Sequence, residues 1–163
     1  VGVQNVHDMA SGAYTGETSA AMLRALEILH AVRALFALKP AVTRAEFGGF
    51  VRGALERLPE LEALEWIPRV PGPARAAHEA ALGPAPLADE YWPVHYAEPA
   101  ELNASVLGLD LRAEPGRRAA LERAAATGLP VATSPLRLAQ RGSRRLGFLV
   151  VMTAGPGWVL AVF

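Results

Sequence analysis

The histidines and hydroxyl groups of this chain are the residues that could do catalytic chemistry, and their spacing argues against most of it. The four histidines are scattered: His7, His30, His78 and His95. No two of them lie four residues apart as in a metalloprotease helix, and the chain has no G-x-S-x-G elbow, P-loop or G-x-G-x-x-G turn. The absence of cysteine excludes thiolate catalysis, disulfides and most structural zinc sites. One hydrolytic arrangement stays open, a triad of His95, Asp110 and Ser134, which requires all three within hydrogen-bond reach.

Aromatic and small polar residues in the second half of the chain could instead bind a small molecule. Tyr91, Trp92 and Tyr96 alternate on a predicted strand, so Trp92 or the two tyrosines could line a pocket or pack in the core. Thr133 is a β-branched residue in another predicted strand, where it could contact a ligand or simply favour the strand. Asp110 ends a predicted strand, where it could hold a ligand or cap the next segment.

Composition bounds the class of protein but does not name a function. The 163 residues fit one domain with a sizeable core, and sixteen basic residues balance sixteen acidic ones. No global field therefore draws the chain to nucleic acid or to an anionic membrane. The most hydrophobic stretch, Ala20–Leu38, is interrupted by charged residues and predicts a surface helix, not a membrane span.

The elements that must position these residues follow from apolar periodicity and from turn residues. A helix is predicted over Glu17–Leu38, and a capping box of Thr43 and Glu46 begins a second helix that ends before Pro59. Two further helices are predicted, Pro73–Leu82 and Pro115–Ala126, the latter capped by Gly128. The predicted strands are Leu64–Ile67, Tyr91–Tyr96, Val106–Leu111, Leu129–Thr133, Leu136–Gln140, Leu146–Thr153 and Trp158–Phe163. Hairpin turns are predicted at residues 141–144 and 154–157, and the order of elements predicts an α+β fold.

Four segments in a fixed order carry a resemblance to a known family. They are ALEWIPRV at residues 63–70, EYWPV at 90–94, GLDL at 108–111 and TSPLRLAQ at 133–140. In this order and spacing, from about Leu26 to Phe163, the chain resembles the CHASE domain. That domain is the extracytoplasmic sensory module of bacterial histidine kinases and nucleotide cyclases and of plant cytokinin receptors. One segment departs from the family pattern, since Met152-Thr153-Ala154 stands where Pro-Val-Tyr is usual.

The resemblance implies a long N-terminal helix, a PAS-like membrane-distal subdomain with a small-molecule pocket, and a smaller membrane-proximal part that is short or incomplete here. In the cytokinin-binding members an Asp after the Y-x-P-V strand grips adenine and a Thr of the T-S-P strand lies beside it. Thr133 carries over, whereas Glu98-Pro99-Ala100-Glu101 stands in the neighbourhood of the Asp. The ligand residues implied are Thr133, Tyr91, Tyr96, Glu98 and Asp110, and Arg69 is expected to pair with a carboxylate.

The interpretation is a frayed segment at residues 1–14, a helix at 15–40 and a PAS-like antiparallel-sheet sensor domain at 41–163. Such a domain would be non-catalytic, without cofactor or metal, and would face the periplasm or the cell exterior between flanking transmembrane helices. Its partners would be a small-molecule ligand and a second copy of the chain. An adenine-like ligand is not supported, because the Asp that grips adenine in the cytokinin-binding members is not matched here. The alternatives are a ligand-free dimerisation module and the small hydrolase defined by His95, Asp110 and Ser134.

Overall fold

A computed structural model describes residues 17–39, 41–83, 89–140 and 146–163. The predicted frayed segment at residues 1–14 and the predicted turn at 141–144 lie outside these ranges. Among the described residues the helices are α1 (Glu17–Leu38), α2 (Arg44–Arg57), α3 (Arg75–Leu82), α4 (Ala100–Asn103) and α5 (Pro115–Thr127). Short 3-10 turns occupy Gly72–Ala74, Ala104–Val106 and Leu111–Ala113.

The strands form one five-stranded antiparallel sheet and two short hairpin-like pairs. They are β1 (Ala63–Pro68), β2 (Val70–Pro71), β3 (Glu90–Tyr91), β4 (Tyr96–Glu98), β5 (Val131–Ala132), β6 (Leu136–Arg137), β7 (Leu146–Gly147), β8 (Leu149–Ala154) and β9 (Gly157–Val162). The order in the large sheet is β4-β1-β9-β8-β5, and β2 pairs with β3 and β6 with β7. This architecture confirms the α+β class and is compatible with the PAS-like arrangement that the resemblance implies.

Helices cover both faces of the sheet, so its long strands are buried on both sides. Every residue of β1 and of β9 is buried. On one face lie α1 and α2, where Phe36 stacks on Trp66 with ring centroids 4.7 Å apart. On the other face lies α5, whose Leu121 carbonyl accepts a hydrogen bond from the Trp158 indole at 2.9 Å. Because successive strand residues point to opposite faces, β1 presents Trp66 to α1 and its neighbour Glu65 to the α5 side.

Local rules predicted the helix ends well. The capping box is confirmed, since the Thr43 hydroxyl accepts from the Glu46 amide while the Glu46 carboxylate accepts from the Thr43 amide at 2.9 Å. At the end of α5, Gly128 takes a φ of +68° and its amide donates to the Ala124 carbonyl, as the predicted C-cap requires. The expected pairing of Arg69 is also confirmed, since its Nε donates to Glu90 Oε1 at 2.6 Å.

Two strand predictions in the middle of the chain are wrong. The stretch Tyr91–Tyr96 is not one strand, because it breaks at Trp92 and resumes only at Tyr96. Pro93 has no amide to give to a ladder, and the Trp92 amide donates to the side chain of Asp110 instead. The stretch Val106–Leu111 is not a strand, because Gly108 turns the backbone with a φ of +79° between two 3-10 segments. An isolated antiparallel bridge joins Pro93 to Asp110 between the two stretches.

The later strands are shorter than predicted. The expected Leu129–Thr133 and Leu136–Gln140 shrink to β5 and β6, and the expected Leu146–Thr153 divides at Phe148 into β7 and β8. Phe148 still exchanges two backbone hydrogen bonds with Phe163, so the chain stays aligned with β9 across the break. No helix among the described residues is both long enough and apolar enough to cross a membrane.

Candidate ligand-binding site

A buried carboxyl group lies on the α5 side of the sheet. Glu65 belongs to β1, where it faces Leu160 of β9 and Ala97 of β4 across the ladders, and it is only 4% exposed. Burial raises the pKa of Glu65 to about 7, and the positive charge of Arg117 opposes this without cancelling it. A carboxyl held near its titration point inside a core is typical of functional sites, because charge burial is costly unless the charge has a task.

Gln140 provides the hydrogen bond of this carboxyl. Its Nε2 donates to Glu65 Oε1 at 3.1 Å from the segment that follows β6. Next to this pair is a cavity of about 10 Å³, enough for roughly one water molecule. The cavity is lined by apolar side chains from the 3-10 region, from the β6 segment and from the sheet, together with Arg117 of α5. The structure therefore shows a polar centre that is bordered mostly by apolar side chains and leaves little free space.

A wide groove lies on the other side of Gln140. It has a volume of about 800 Å³ and runs between α2, the α2–β1 loop and the β4–α4 corner. Among the described residues, four carboxylates and one guanidinium line it: Glu56, Glu62, Glu98, Glu101 and Arg52. Gln140 lines both the groove and the small cavity, so its side chain separates the two spaces.

Asn103 adds an unsatisfied acceptor to the groove. It is 1% exposed and lines the groove at the end of α4. Its Nδ2 donates to the carbonyls of Glu62 at 3.3 Å and Pro99 at 3.0 Å, which fixes the orientation of the amide. Its Oδ1 is buried and accepts no hydrogen bond. Since a buried acceptor without a partner costs about 1–3 kcal/mol, this oxygen marks a position that favours a donor.

Two of the five predicted ligand residues lie in this region. Thr133 is 4% exposed, and its Oγ1 accepts from the amide of Leu149, a residue that lines the small cavity. Glu98 lines the groove, where its Oε2 accepts from the Ala100 amide at 3.2 Å. A Cβ added to Gly48 of α2 would stand 2.8 Å from Glu98 Oε1, so the glycine makes room for this carboxylate.

The other three predicted residues lie elsewhere. Tyr96 is on the α1 side of the sheet, where its hydroxyl donates to the Val42 carbonyl at 2.9 Å. Tyr91 is buried beside His78 of α3, with ring centroids 5.2 Å apart. Asp110 accepts from the amides of Trp92 and Arg112 through one oxygen, both at 3.0 Å, which makes it a cap of the turn it begins. The structure therefore does not gather the five predicted residues around one cavity.

A second polar cluster surrounds His95 at the edge of the sheet. His78 and His95 have ring centroids 5.1 Å apart, and His95 also meets the edge of Trp66. Buried nitrogens of these three side chains and the Tyr91 hydroxyl accept or donate no hydrogen bond. Burial lowers the pKa of His78, and burial with the charges of His78 and Arg44 lowers the pKa of His95 to about 4. Both imidazoles are therefore neutral at neutral pH.

The hydrolase alternative requires contacts that the described chain does not form. Nδ1 of His95 is without a partner, and the carboxylate of Asp110 is held by backbone amides. Ser134 is exposed and lies two residues after the end of β5. No hydrogen bond joins these three residues within the described ranges, and no three histidine or acidic residues there are grouped as metal ligands would be.

Sequence reasoning missed Glu65, Gln140 and Asn103 as site residues. Gln140 ends the family-like segment at residues 133–140, which by itself predicts no contact for its side chain. A signal for Glu65 was available, because a single Glu stands inside the apolar run ALEWIP that predicts a strand buried on both faces. A charged residue in such a strand is either exposed by the fold or serves a function at a buried position.

Comparison with known proteins gives two family matches. A family model described as CHASE domain matches residues 40–155, which is more than two thirds of the chain. A model described as triosephosphate isomerase matches residues 1–32, whose described part lies in α1. That short match does not extend to the fold, since a triosephosphate isomerase barrel consists of parallel strands and the ladders of the described chain are antiparallel. The comparison with curated proteins found no matching sequence.

Proposed function

The chain belongs to the CHASE domain family, and on this premise we propose that it senses a small molecule for a membrane-bound histidine kinase or diguanylate cyclase. CHASE domains are extracytoplasmic sensory modules of signalling proteins and are not catalytic, and the predicted resemblance is confirmed. The finer assignments are proposals: a ligand at Glu65, flanking membrane helices, and transmission of the signal through α1.

The observation that carries the ligand proposal is the hydrogen-bonded pair of buried Glu65 and half-buried Gln140 beside a small cavity. Ligand sites are mostly apolar with a few convergent polar groups, and this is the composition around the pair. Thr133 stays in the proposed site as a neighbour, because it holds the strand edge at Leu149 that lines the cavity. Glu98 stays in it as part of the adjoining groove.

Transmission is proposed to pass through the sheet. Glu65 and Trp66 are consecutive residues of β1, and Trp66 stacks on Phe36 of α1 on the opposite face. A ligand that moves Glu65 therefore acts on a strand whose other face supports α1. Such a ligand shifts the population of two sheet–helix arrangements only by its difference in affinity for them.

The apolar stripe of α1 is buried within the chain and does not serve a second copy. Leu29, Val32 and Phe36 lie against β8 and β9, and each is at most 2% exposed. A homodimer, which we retain as part of the proposal, therefore uses another surface of the domain.

A ligand-free interaction module is the second candidate function. It is favoured by the small volume beside Glu65 and by the contact of Trp92 with Trp158, whose ring centroids are 4.8 Å apart and which fill much of the α5 face. In that case the side chains themselves occupy the pocket of the family.

Thermal unfolding against a metabolite panel separates these candidates. The panel includes adenine-type cytokinins, amino acids, amines and carboxylic acids. A binder at one hundred times its dissociation constant is expected to stabilise the chain by about 2.7 kcal/mol. We expect the shift to be lost in Glu65→Gln and kept in Glu122→Gln, which removes an exposed carboxylate from α5. A panel without any shift, together with a dimer in solution, would establish the interaction module instead.

A further inference from the structure

We propose that the ligand is a small organic cation with several N–H donors, such as an amidinium, guanidinium or ammonium compound. It would enter through the acidic groove and reach Glu65 by displacing the side chain of Gln140. This inference rests on the proposed sensor function and adds to it the ligand class and the route of entry.

The charge of the groove attracts a cationic ligand before the ligand contacts any side chain. Among the described residues that line the groove, four carboxylates outnumber one guanidinium, and a cleft lined mainly by one sign of charge concentrates ligands of the opposite sign. The charge alone would be an ordinary solvated surface. The buried Oδ1 of Asn103 makes it more, because Asn103 lines the groove and this oxygen, which accepts no hydrogen bond, can be satisfied only by a donor that reaches it past the atoms covering it.

Gln140 is the barrier between the groove and Glu65. Among the described residues it is the one that lines both spaces, and the hydrogen bond that its uncharged amide gives to Glu65 is 3.1 Å long. A cationic donor can replace this bond with one in which both donor and acceptor are charged, which is stronger than a bond from an uncharged amide. Displacement of the amide side chain therefore opens the cavity and improves the bonding of Glu65 in the same step.

The electrostatics at Glu65 select against anions. Among the described residues that line the cavity, Arg117 is the only other charged one, and its guanidinium also donates to the Arg137 carbonyl at 2.9 Å. Its charge does not offset the burial of Glu65, so the described residues do not supply this carboxyl group with a sufficient counter-charge. A cation supplies that counter-charge and favours the ionised form, an anion would be repelled by it, and a neutral donor would gain only an ordinary hydrogen bond.

Benzamidinium, benzamide and benzoate test the ligand class, because the three have nearly the same size and shape and differ in charge. We expect benzamidinium to bind the 163-residue chain at least tenfold more tightly than benzamide, and benzoate not to bind. Because burial places the pKa of Glu65 at about 7, affinity for benzamidinium should be about tenfold weaker at pH 6 than at pH 8. Benzamidinium keeps its charge across this range, so the change reports Glu65.

Three variants locate the effect. Glu65→Gln should lower the affinity for benzamidinium at pH 8 at least tenfold and remove its pH dependence. Gln140→Ala should raise it several-fold, since it removes the barrier and the competing donor. Glu122→Gln should change neither. Heteronuclear NMR of each variant checks that the fold is kept.

The outcomes separate this inference from the sensor proposal. Equal binding of benzamide, binding of benzoate, or no binding of benzamidinium at millimolar concentration overturns the cation proposal. The sensor function survives those results if any metabolite of the panel stabilises the chain through Glu65. If no metabolite of the panel stabilises the chain through Glu65, the sensor proposal fails together with the cation proposal.

Discussion

Glu65→Gln is expected to raise the free energy of unfolding at pH 8 by on the order of 3 kcal/mol and to change it little at pH 4. The pKa of this carboxyl is about 7 in the fold, against an ordinary value of 4.5, because it is buried. The folded state therefore keeps a proton that the unfolded chain releases between these two pKa values. Stability from the neutral carboxyl is complete below pH 4.5 and is lost as the pH rises to 7. Glutamine is neutral throughout and avoids that loss.

The measurement is urea unfolding of both chains at pH 4, 6 and 8, and the quantity to compare is the difference between them. The profile of the wild-type chain alone would mislead, because His95 acts in the opposite direction. Its pKa of about 4 in the fold lies below the ordinary 6.5, so stability falls as the pH drops from 6.5 towards 4. His95 is present in both chains and cancels in the difference. Glu122→Gln should give no pH-dependent difference, and a flat difference for Glu65→Gln would show that Glu65 is not a buried acid.

Local sequence rules were sufficient for the four longer helices and for the fold class, whereas the short helix α4 was not predicted. The capping box at Thr43 and the C-cap at Gly128 act within four residues, so the chain carries their full description. The strands failed where a distant residue decided the outcome. The amide of Trp92 was expected to serve a ladder, yet it is bound by Asp110 eighteen positions later. A prediction made from neighbouring residues alone cannot include the competition between Asp110 and a strand partner for the Trp92 amide.

The sequence predicts only part of the candidate site, because the alternation of side chains along a strand shows which residues share a face but not which face of the sheet they share. Tyr96 and Glu98 lie on one side of β4, and the register Trp66↔Tyr96 places that side towards α1. Thr133, two residues after the α5-facing Val131, lies on the opposite side. Glu65 also faces the α5 side of the sheet, but its role in the candidate site depends on its hydrogen bond with Gln140, seventy-five residues away along the chain. The register of the strands determines which of these residues meet, and that register cannot be derived from a single sequence.

Gly157→Ala is expected to destabilise the chain by more than about 3 kcal/mol and to disrupt the central pair of strands. Gly157 begins β9 and faces Pro68 of β1 in the register. A Cβ at this position would overlap the carbonyl oxygen of Ile67 and stand 2.8 Å from the Cα of Pro68. These are backbone atoms of a strand covered by helices on both faces, so no side-chain rotation can relieve the overlap. Overpacking of this kind ordinarily costs 1–3 kcal/mol, and more where the backbone has to move.

Gly49→Ala is the matched control, because the same change is made at an exposed position inside α2 where an added Cβ meets no atom within 4 Å. Alanine is preferred over glycine in a helix by about 0.5–1 kcal/mol, so this variant should be more stable than the wild type. Urea unfolding with far-ultraviolet circular dichroism measures both. If Gly157→Ala unfolded within 1 kcal/mol of the wild type, the register that pairs β1 with β9 would be incorrect. The placement of Glu65 opposite Leu160, on which the ligand site depends, would then be incorrect with it.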